Sequence, residues 1–129
     1  MQRDWKATDR IIHILGEVWK LEFKSVEEDA TLTECDGYAD WSTKKLVIRN
    51  TTLEEKKLLD LENKEAELRR CVRHEIVHAF FFESGLRNNA LIFDDAWCAN
   101  EELVDWIANQ HEKLHRAFAE ADALEDKGV

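Results

Sequence analysis

The chain has 129 residues, and its composition is 44% hydrophobic and 36% charged with no proline and only four glycines. This composition excludes collagen-like, low-complexity and linker-rich designs, and it disfavours a turn-dense β-sandwich, whose corners need glycine and proline. The net charge of −10 disfavours nucleic acid and anionic membrane surfaces as partners. We therefore expect a single α+β domain over residues 1–129.

The first 50 residues are predicted to form one short helix and three strands. From Thr8 to Val18 the apolar residues recur at helical spacing behind two capping residues, which predicts an amphipathic helix. From Trp19 to Phe23 apolar and charged residues alternate with the period of a half-buried strand, and Ser25 to Ala30 is an expected acidic loop. Two further strands, Tyr38 to Trp41 and Lys45 to Arg49, are predicted to form a hairpin.

Two long helices are predicted in the rest of the chain. The first extends from Glu54 to Gly85 with a break near Asn63, and the second extends from Asn100 to about Glu125. The intervening segment, Arg87 to Ala99, is rich in turn signals and is predicted to be irregular. The predicted architecture is therefore a short antiparallel sheet packed against the first long helix and the C-terminal helix.

Cysteine usage and hydropathy indicate the compartment. Cys35, Cys71 and Cys98 are an odd number of cysteines without the spacing of a disulfide framework. The sequence contains no secretory hydrophobic region and no run approaching the ~20 apolar residues that a membrane span needs. We expect free thiols, no membrane association and a cytoplasmic location.

The first long helix contains the pentapeptide His74-Glu75-Ile76-Val77-His78. Two histidines four residues apart lie one helical turn above each other, so both imidazoles can reach one cation. Glu75 flanks the same face, where its carboxylate can take the proton of a water activated by zinc. The pattern H-E-x-x-H therefore indicates the metal-binding helix of a zinc hydrolase, although the pentapeptide alone also occurs by chance.

The start of the C-terminal helix supplies two further acidic residues. The pattern Asn100-Glu101-x-x-x-Asp105 places Glu101 and Asp105 on one helical face, one turn apart. Glu101 can supply the third protein ligand of a catalytic zinc site, and Asp105 can accept the free N–H of a ligating histidine. Glu102 points about 100° away from Glu101, so only one of the two can face the metal. We favour Glu101 because Asn100 and Asp105 both fit its frame.

These two segments together resemble the gluzincin clan of zinc metallopeptidases, most closely the small single-domain members encoded by phages and prophages. The resemblance covers about residues 16–110, and it is carried by Arg73 to Phe80, Glu83 to Leu86 and Asn100 to Asp105. It implies a zincin-like fold, Zn²⁺ as the cofactor and a peptide or protein as the substrate. The site residues that it implies are the zinc ligands His74, His78 and Glu101, the general base Glu75 and the partner that orients His74, Asp105.

The resemblance also implies that a sheet edge lies beside the active-site cleft, where an extended peptide can add as a strand. Our candidate for that edge is Thr43 to Arg49. Larger gluzincins use an extra domain to supply a histidine or tyrosine that assists the reaction, and this chain has no room for one. We therefore expect activity that is weak, narrow in substrate or dependent on a partner protein.

Several other conspicuous residues are expected to have structural roles. The segment His111-Glu112-Lys113-Leu114-His115 is a second formal H-E-x-x-H match, but it has no apparent third ligand and is expected to lie on the surface. A core position is the default for the remaining large aromatic residues, with at least one phenylalanine beside the cleft, and Cys71 is expected to be a buried thiol. The aromatic residues concerned are Phe80, Phe81, Phe82, Trp97 and Trp106.

Two functions from different classes remain after this reasoning. The first is a zinc metallopeptidase that hydrolyses a peptide bond with Glu75 as the general base. The second is a catalytically weak, zinc-stabilised binding protein that acts on a host or phage protein. Glu75 favours the enzyme, because a purely structural zinc site gains nothing from a base beside the metal.

Overall fold

The computed structural model describes residues 5–54, 63–86 and 100–125. It confirms the expected α+β class, with a four-stranded sheet and two long helices. Short 3₁₀ helices lie at Ala30–Thr33 and Thr51–Leu53. The strands and helices, in chain order, are β1 Arg10–Ile14, β2 Glu17–Lys24, β3 Gly37–Asp40, β4 Lys45–Arg49, α1 Lys64–Glu83 and α2 Glu101–Glu120.

The segment Thr8 to Val18, expected to be a helix, instead contains β1, a tight turn and the start of β2, so that prediction is wrong. Leu15 and Gly16 have φ angles of 50° and 85°, and they connect the two strands with Ile14 paired to Glu17. Positive φ at both central residues is the requirement of a type I′ hairpin turn. The four apolar residues at helical spacing do not form a buried face in the structure. Three of them are exposed: Ile11, Leu15 and Val18.

The sheet is mixed, with the strand order β1-β2-β4-β3. The pairs β1–β2 and β3–β4 are antiparallel, as expected of hairpins, but β2 and β4 are parallel, so the prediction of an antiparallel sheet is wrong for this pair. The prediction that Thr43 to Arg49 forms the sheet edge is also wrong, because β4 lies between β2 and β3. Its residues Leu46, Val47 and Ile48 are all buried, as expected of a strand covered on both faces. In the described sheet, β3 is the edge strand on this side.

Helix α1 packs across the sheet and carries the first H-E-x-x-H pentapeptide. Its N-cap is Asn63, whose side chain accepts a hydrogen bond from the Ala66 N–H at 3.0 Å, so the helix starts where a break was predicted; whether a helix precedes it is not tested, because residues 55–62 lie outside the described residues. At its other end, the Trp19 indole N–H donates to Glu83 Oε2 at 2.7 Å and ties the helix to β2. The core between helix and sheet is formed by Ile14, Trp19, Leu21, Leu46, Ile48, Leu68, Cys71 and Ala79.

Helix α2 packs against α1 through Val104 and Ala108, which are both buried. Asn100 is its N-cap and accepts a hydrogen bond from the Leu103 N–H at 3.0 Å. The expectation that Trp106 lies in the core is wrong, since its side chain is 54% exposed. Trp106 is two residues from each of these buried positions, so it lies about 160° around the helix from both, on the side away from α1. The predicted irregular segment Arg87 to Ala99, with Trp97, lies outside the described residues, as do residues 55–62.

None of the described helices combines the length and the apolar composition that crossing a bilayer requires.

Candidate metal centre

Two helices bring three potential metal ligands together. On α1, the Nε2 atoms of His74 and His78 lie 3.2 Å apart and face each other across one helical turn. From the first turn of α2, Glu101 places Oε2 2.7 Å from His74 Nε2 and Oε1 3.2 Å from His78 Nε2. The potential ligand atoms of these three residues all lie within 4.8 Å of one another. Glu101 is at least 23 positions from either histidine in the sequence, yet all three side chains face one point in space.

The geometry and chemistry of this cluster fit Zn²⁺. Ligands about 2.05 Å from a tetrahedral ion are about 3.3 Å apart. Two of the three distances in the cluster, His74 Nε2 to His78 Nε2 and His78 Nε2 to Glu101 Oε1, are close to this value at 3.2 Å, while His74 Nε2 to Glu101 Oε2 is shorter at 2.7 Å. Two imidazoles and one carboxylate are also a donor set that zinc prefers at catalytic sites.

A cation at this point also resolves a hydrogen-bond conflict on the His74 ring. Asp105 Oδ1 lies 2.6 Å from Nδ1 of that ring, while Glu101 Oε2 lies 2.7 Å from Nε2. A neutral imidazole carries one N–H and an ionised carboxylate carries none, so only one of these contacts can be an ordinary hydrogen bond. The other requires a positive charge between ring and carboxylate, either a second proton or a metal ion.

The His74 ring presents Nδ1 to Asp105 and Nε2 to His78 and Glu101. An N–H on Nδ1 would donate to the Asp105 carboxylate and would leave the lone pair of Nε2 directed toward the cluster. Of the two candidate ligands, Glu101 faces the histidines, with its side chain 65% exposed, whereas Glu102 lies outside the cluster. The structure therefore places Glu101 and Asp105 as the sequence reasoning placed them, and their roles toward a metal remain predictions.

Glu75 lies beside the cluster in a buried position. Its side chain is part of a residue only 7% exposed, and its Oε2 is 4.0 Å from His74 Nε2. Burial raises the pKa of Glu75 to about 7; His74 opposes this rise, while the negative charges of Glu101 and Asp105 add to it. The carboxyl group is therefore able to hold and release a proton near neutral pH.

The edge strand β3 packs closely against Glu75 because it begins with a glycine. A Cβ atom added at Gly37 would lie 2.9 Å from Ile48 Cδ1, 3.0 Å from the Val47 carbonyl oxygen and 3.6 Å from Glu75 Cγ. A side chain at this position would thus crowd β4 and would come into van der Waals contact with the candidate base. The sequence analysis missed this role of Gly37, because it depends on a contact between distant segments.

The cluster opens into a cleft of about 660 Å³ between α1, β3 and the start of α2. Gly37, Tyr38 and Ala39 of β3 form one wall, so the edge strand faces the candidate metal ligands. At one end of the cleft the ring of Trp41 stacks on that of Phe82, with centroids 6.0 Å apart and planes inclined by 30°. Phe82 is the phenylalanine expected beside the cleft, whereas Phe80 is largely exposed.

Tyr38 brings a hydroxyl group to the cleft wall, and this hydroxyl donates a short hydrogen bond to Asp29. Burial raises the pKa of Tyr38 to about 12, and the Asp29 carboxylate adds to the rise. The phenol therefore stays protonated at neutral pH, with its proton directed to Asp29 rather than toward the histidines.

A second group of potential ligands includes two residues that line the same cleft, Asp36 and Cys71. Oxygen atoms of Asp36 and Glu67 and the sulfur of Cys71 also lie within 4.8 Å of one another. Here, however, Glu67 is bound to Arg70, and burial raises the pKa of the Cys71 thiol to about 11 despite the opposing charge of Arg70. A protonated thiol is a poor ligand, so Cys71 fits the buried free thiol expected from the sequence.

The second H-E-x-x-H match has different surroundings. His111, Glu112 and His115 are exposed on α2, as predicted, and so is His13 on β1. Within the described ranges, none of them belongs to a group of side chains that could hold a metal ion.

Comparison with protein-family models, with curated proteins and with solved structures finds no match to this chain.

Proposed function

We propose that this protein is a zinc-dependent metallopeptidase of the zincin-like type, with Glu75 as the general base. The observation that carries the proposal is the convergence of His74, His78 and Glu101 from two helices, beside a buried carboxyl group and an open cleft. This combination supports a catalytic site, because a metal site that serves only stability needs neither the buried carboxyl group nor the cleft.

In this proposal, His74, His78 and Glu101 hold Zn²⁺. The bound ion would supply a Lewis acid for the scissile carbonyl and would lower the pKa of a coordinated water. Asp105 keeps the N–H of His74 on Nδ1, so that Nε2 remains available as a ligand. The chain would thus contribute three protein ligands to the ion.

Glu75 moves the proton in this reaction. Its carboxylate takes a proton from the water that attacks the scissile carbonyl and then delivers that proton to the leaving amine. Burial raises the pKa of this carboxyl group, and a bound Zn²⁺ beside it would oppose that rise and favour the carboxylate that accepts the proton.

The substrate peptide is proposed to lie along β3. This strand pairs with β4 on one side, and its residues line the cleft that contains the histidines. An extended peptide adding to this edge would place its backbone across the cluster. The edge is therefore Gly37–Asp40 in place of the segment chosen from the sequence.

One observation favours the second candidate function, a zinc-stabilised binding protein with weak catalysis. Hydrolysis is accelerated by a donor that stabilises the developing oxyanion. Among the cleft-lining residues that the structure describes, only Tyr38 has a hydroxyl group. That hydroxyl already donates its hydrogen bond to Asp29, so it is not directed at an oxyanion beside the histidines. A slow enzyme and a binding protein would share this feature, so the two functions must be separated by experiment.

The test combines elemental analysis with cleavage of a peptide library by wild type, Glu75→Gln and Glu112→Gln. We expect one zinc per chain in all three proteins, because neither substitution removes a ligand. We expect Glu75→Gln to lower the cleavage rate about 10²- to 10⁴-fold, the usual contribution of a general base. Glu112→Gln is the matched control, with the same change in the other pentapeptide, and should cleave at the wild-type rate.

Each outcome separates the candidates. Zinc with cleavage that depends on Glu75 supports the peptidase. Zinc without cleavage by any of the three proteins supports the binding protein. Purified protein that carries no zinc, and whose melting is unchanged by a chelator, rejects both.

A further inference from the structure

Arg70 is held in one orientation at the wall of the cleft. Its Nε donates to both carboxylate oxygens of Glu67 at 3.0 Å, and its Nη2 donates to Oε1 at 2.6 Å. Glu67 lies one turn earlier on α1, so the forked hydrogen bonds between Arg70 and Glu67 form within a single helix. The planar guanidinium is thereby fixed, with one remaining nitrogen free to reach a group outside α1.

That nitrogen points at the carboxylate that orients His74. Arg70 Nη1 lies 3.3 Å from Asp105 Oδ1, and the same oxygen lies 2.6 Å from His74 Nδ1. One carboxylate oxygen on α2 therefore accepts from an arginine and a histidine that are one turn apart on α1. The side chain of Asp105 is 44% exposed, so the surrounding protein alone does not fix its rotamer.

We propose that Arg70, clamped by Glu67, is a positioning residue that holds Asp105 against His74 and so keeps His74 Nε2 directed at the metal ligand cluster. The proposal deepens the proposed function and rests on it where zinc affinity is concerned. Its other consequence, the protection of the His74 Nδ1–H, does not require a metal.

The spacing along α1 supports this role. Glu67, Arg70, His74 and His78 follow one another at intervals of three or four residues, so they form one stripe on the helix. Contacts run along this stripe from Glu67 to Arg70, then across to Asp105 and back to His74. Such outer partners typically change metal affinity by about 10- to 100-fold when they are removed.

The test compares Arg70→Met, Arg70→Lys and Arg69→Met with wild type. Arg69 is the matched control, because it lies next in the same helix but packs over the ring of Trp5, with its Cζ 5.6 Å from the ring centroid. Two quantities are measured. The first is the zinc Kd, by competition with a chelator; the second is the exchange rate of the His74 Nδ1–H with solvent in metal-free protein, by NMR.

We expect Arg70→Met to raise the zinc Kd about 10-fold and to speed the Nδ1–H exchange by a similar factor. Arg70→Lys should still show more than half of these changes in the logarithms of the Kd and the exchange rate, because one ammonium group cannot form the forked hydrogen bonds of a planar guanidinium. Arg69→Met should lower the melting temperature without changing either quantity.

The proposal is overturned if Arg70→Met changes neither quantity more than twofold, if Arg70→Lys behaves as wild type, or if Arg69→Met has the same effect as Arg70→Met. A purely structural link between the helices would lower the melting temperature and leave the exchange rate alone. If Arg70→Met does not fold, Glu67→Gln decides, since it loosens the clamp and should speed the exchange; an unchanged rate rejects the proposal. If wild type binds no zinc, the proposed function fails while the exchange rates still decide the role of Arg70.

Discussion

The two H-E-x-x-H pentapeptides of this chain have the same pattern and both lie on long helices, but their surroundings differ in every respect that matters for metal chemistry. At residues 74–78 the histidines face a carboxylate from another helix, and the glutamate is buried against the first residue of an edge strand. At residues 111–115 the histidines and the glutamate are exposed.

This contrast teaches that the pentapeptide specifies only the spacing of two imidazoles. A third ligand, a partner for the free imidazole nitrogen and a dry environment for the base all come from other segments. For the first pentapeptide the groups proposed for these roles are Glu101, Asp105 and β3. The following predictions test whether these surroundings account for the difference.

The largest expected effect is the complete loss of zinc on removal of a histidine from the first pentapeptide. His74→Ala should contain no zinc after purification, because two ligands cannot retain the ion against dilution. His111→Ala is the equivalent change in the second pentapeptide and should retain one zinc per chain. Elemental analysis of both variants checks this, and zinc loss from His111→Ala would remove the distinction between the two sites.

The next effect separates the neighbouring glutamates of α2. Glu101→Ala should raise the zinc Kd by more than about 100-fold, beyond the range typical of an outer partner, because it removes a direct ligand. Glu102→Ala should leave the Kd within twofold of wild type. Chelator competition measures both values, and the reverse result would show that Glu102 is the ligand.

Metal removal should then destabilise the protein by an amount set by the zinc concentration. At free zinc 100 times the Kd, the free energy of unfolding should be about 2.7 kcal/mol higher than in chelator. If the Kd of Glu101→Ala is 100-fold weaker, the gain at the same zinc concentration falls to about 0.4 kcal/mol. Denaturant unfolding with and without zinc measures both gains; equal gains would place the stabilising metal elsewhere.

The smallest expected effect concerns the strand that covers Glu75. Gly37→Ala should cost about 1–3 kcal/mol of unfolding free energy, the range for an overpacked site, because the new methyl group meets Val47 and Ile48. It should also lower the cleavage rate by displacing β3 from Glu75. Gly16→Ala is the control: it strains the turn at φ 85° but has no atom within 4 Å of the added Cβ.

Gly16→Ala should therefore reduce stability without a matching fall in cleavage rate. Equal losses of cleavage in the two variants, at temperatures where both are folded, would contradict a specific role for Gly37.

The part of the site that was predictable from sequence depends on helical geometry. Positions four apart on a helix share a face, so the pairs His74–His78 and Glu101–Asp105 follow from spacing alone. That the two pairs meet is predicted by the need for a third zinc ligand, and the resemblance to a family implies the same; the contacts between α1 and α2 agree with this prediction. The β3–β4 hairpin was predictable for a similar reason, since its strands are adjacent in the chain.

The parts that failed depend on contacts between distant segments or on uncommon backbone angles. Leucine rarely adopts a positive φ, so the sequence at Leu15 did not indicate the turn that connects β1 to β2. The parallel pairing of β2 with β4 joins residues about 25 apart, which no local pattern records. The edge assignment failed with it, because a fully apolar triplet suits an interior strand better than an exposed edge. Arg70 was missed because its partner Asp105 lies on another helix.

The parallel pairing of β2 with β4 also has a consequence for the order of folding. Each hairpin closes a short loop and can form within microseconds, whereas the parallel pair must first close the segment between Lys24 and Lys45. Helix α1 packs on strands from both hairpins, and the cleft needs α1, α2 and β3 together. We therefore expect the metal ligands to come together only after the slow joining of the hairpins, so that the rate at which zinc-binding capacity appears during refolding reports the last step of assembly.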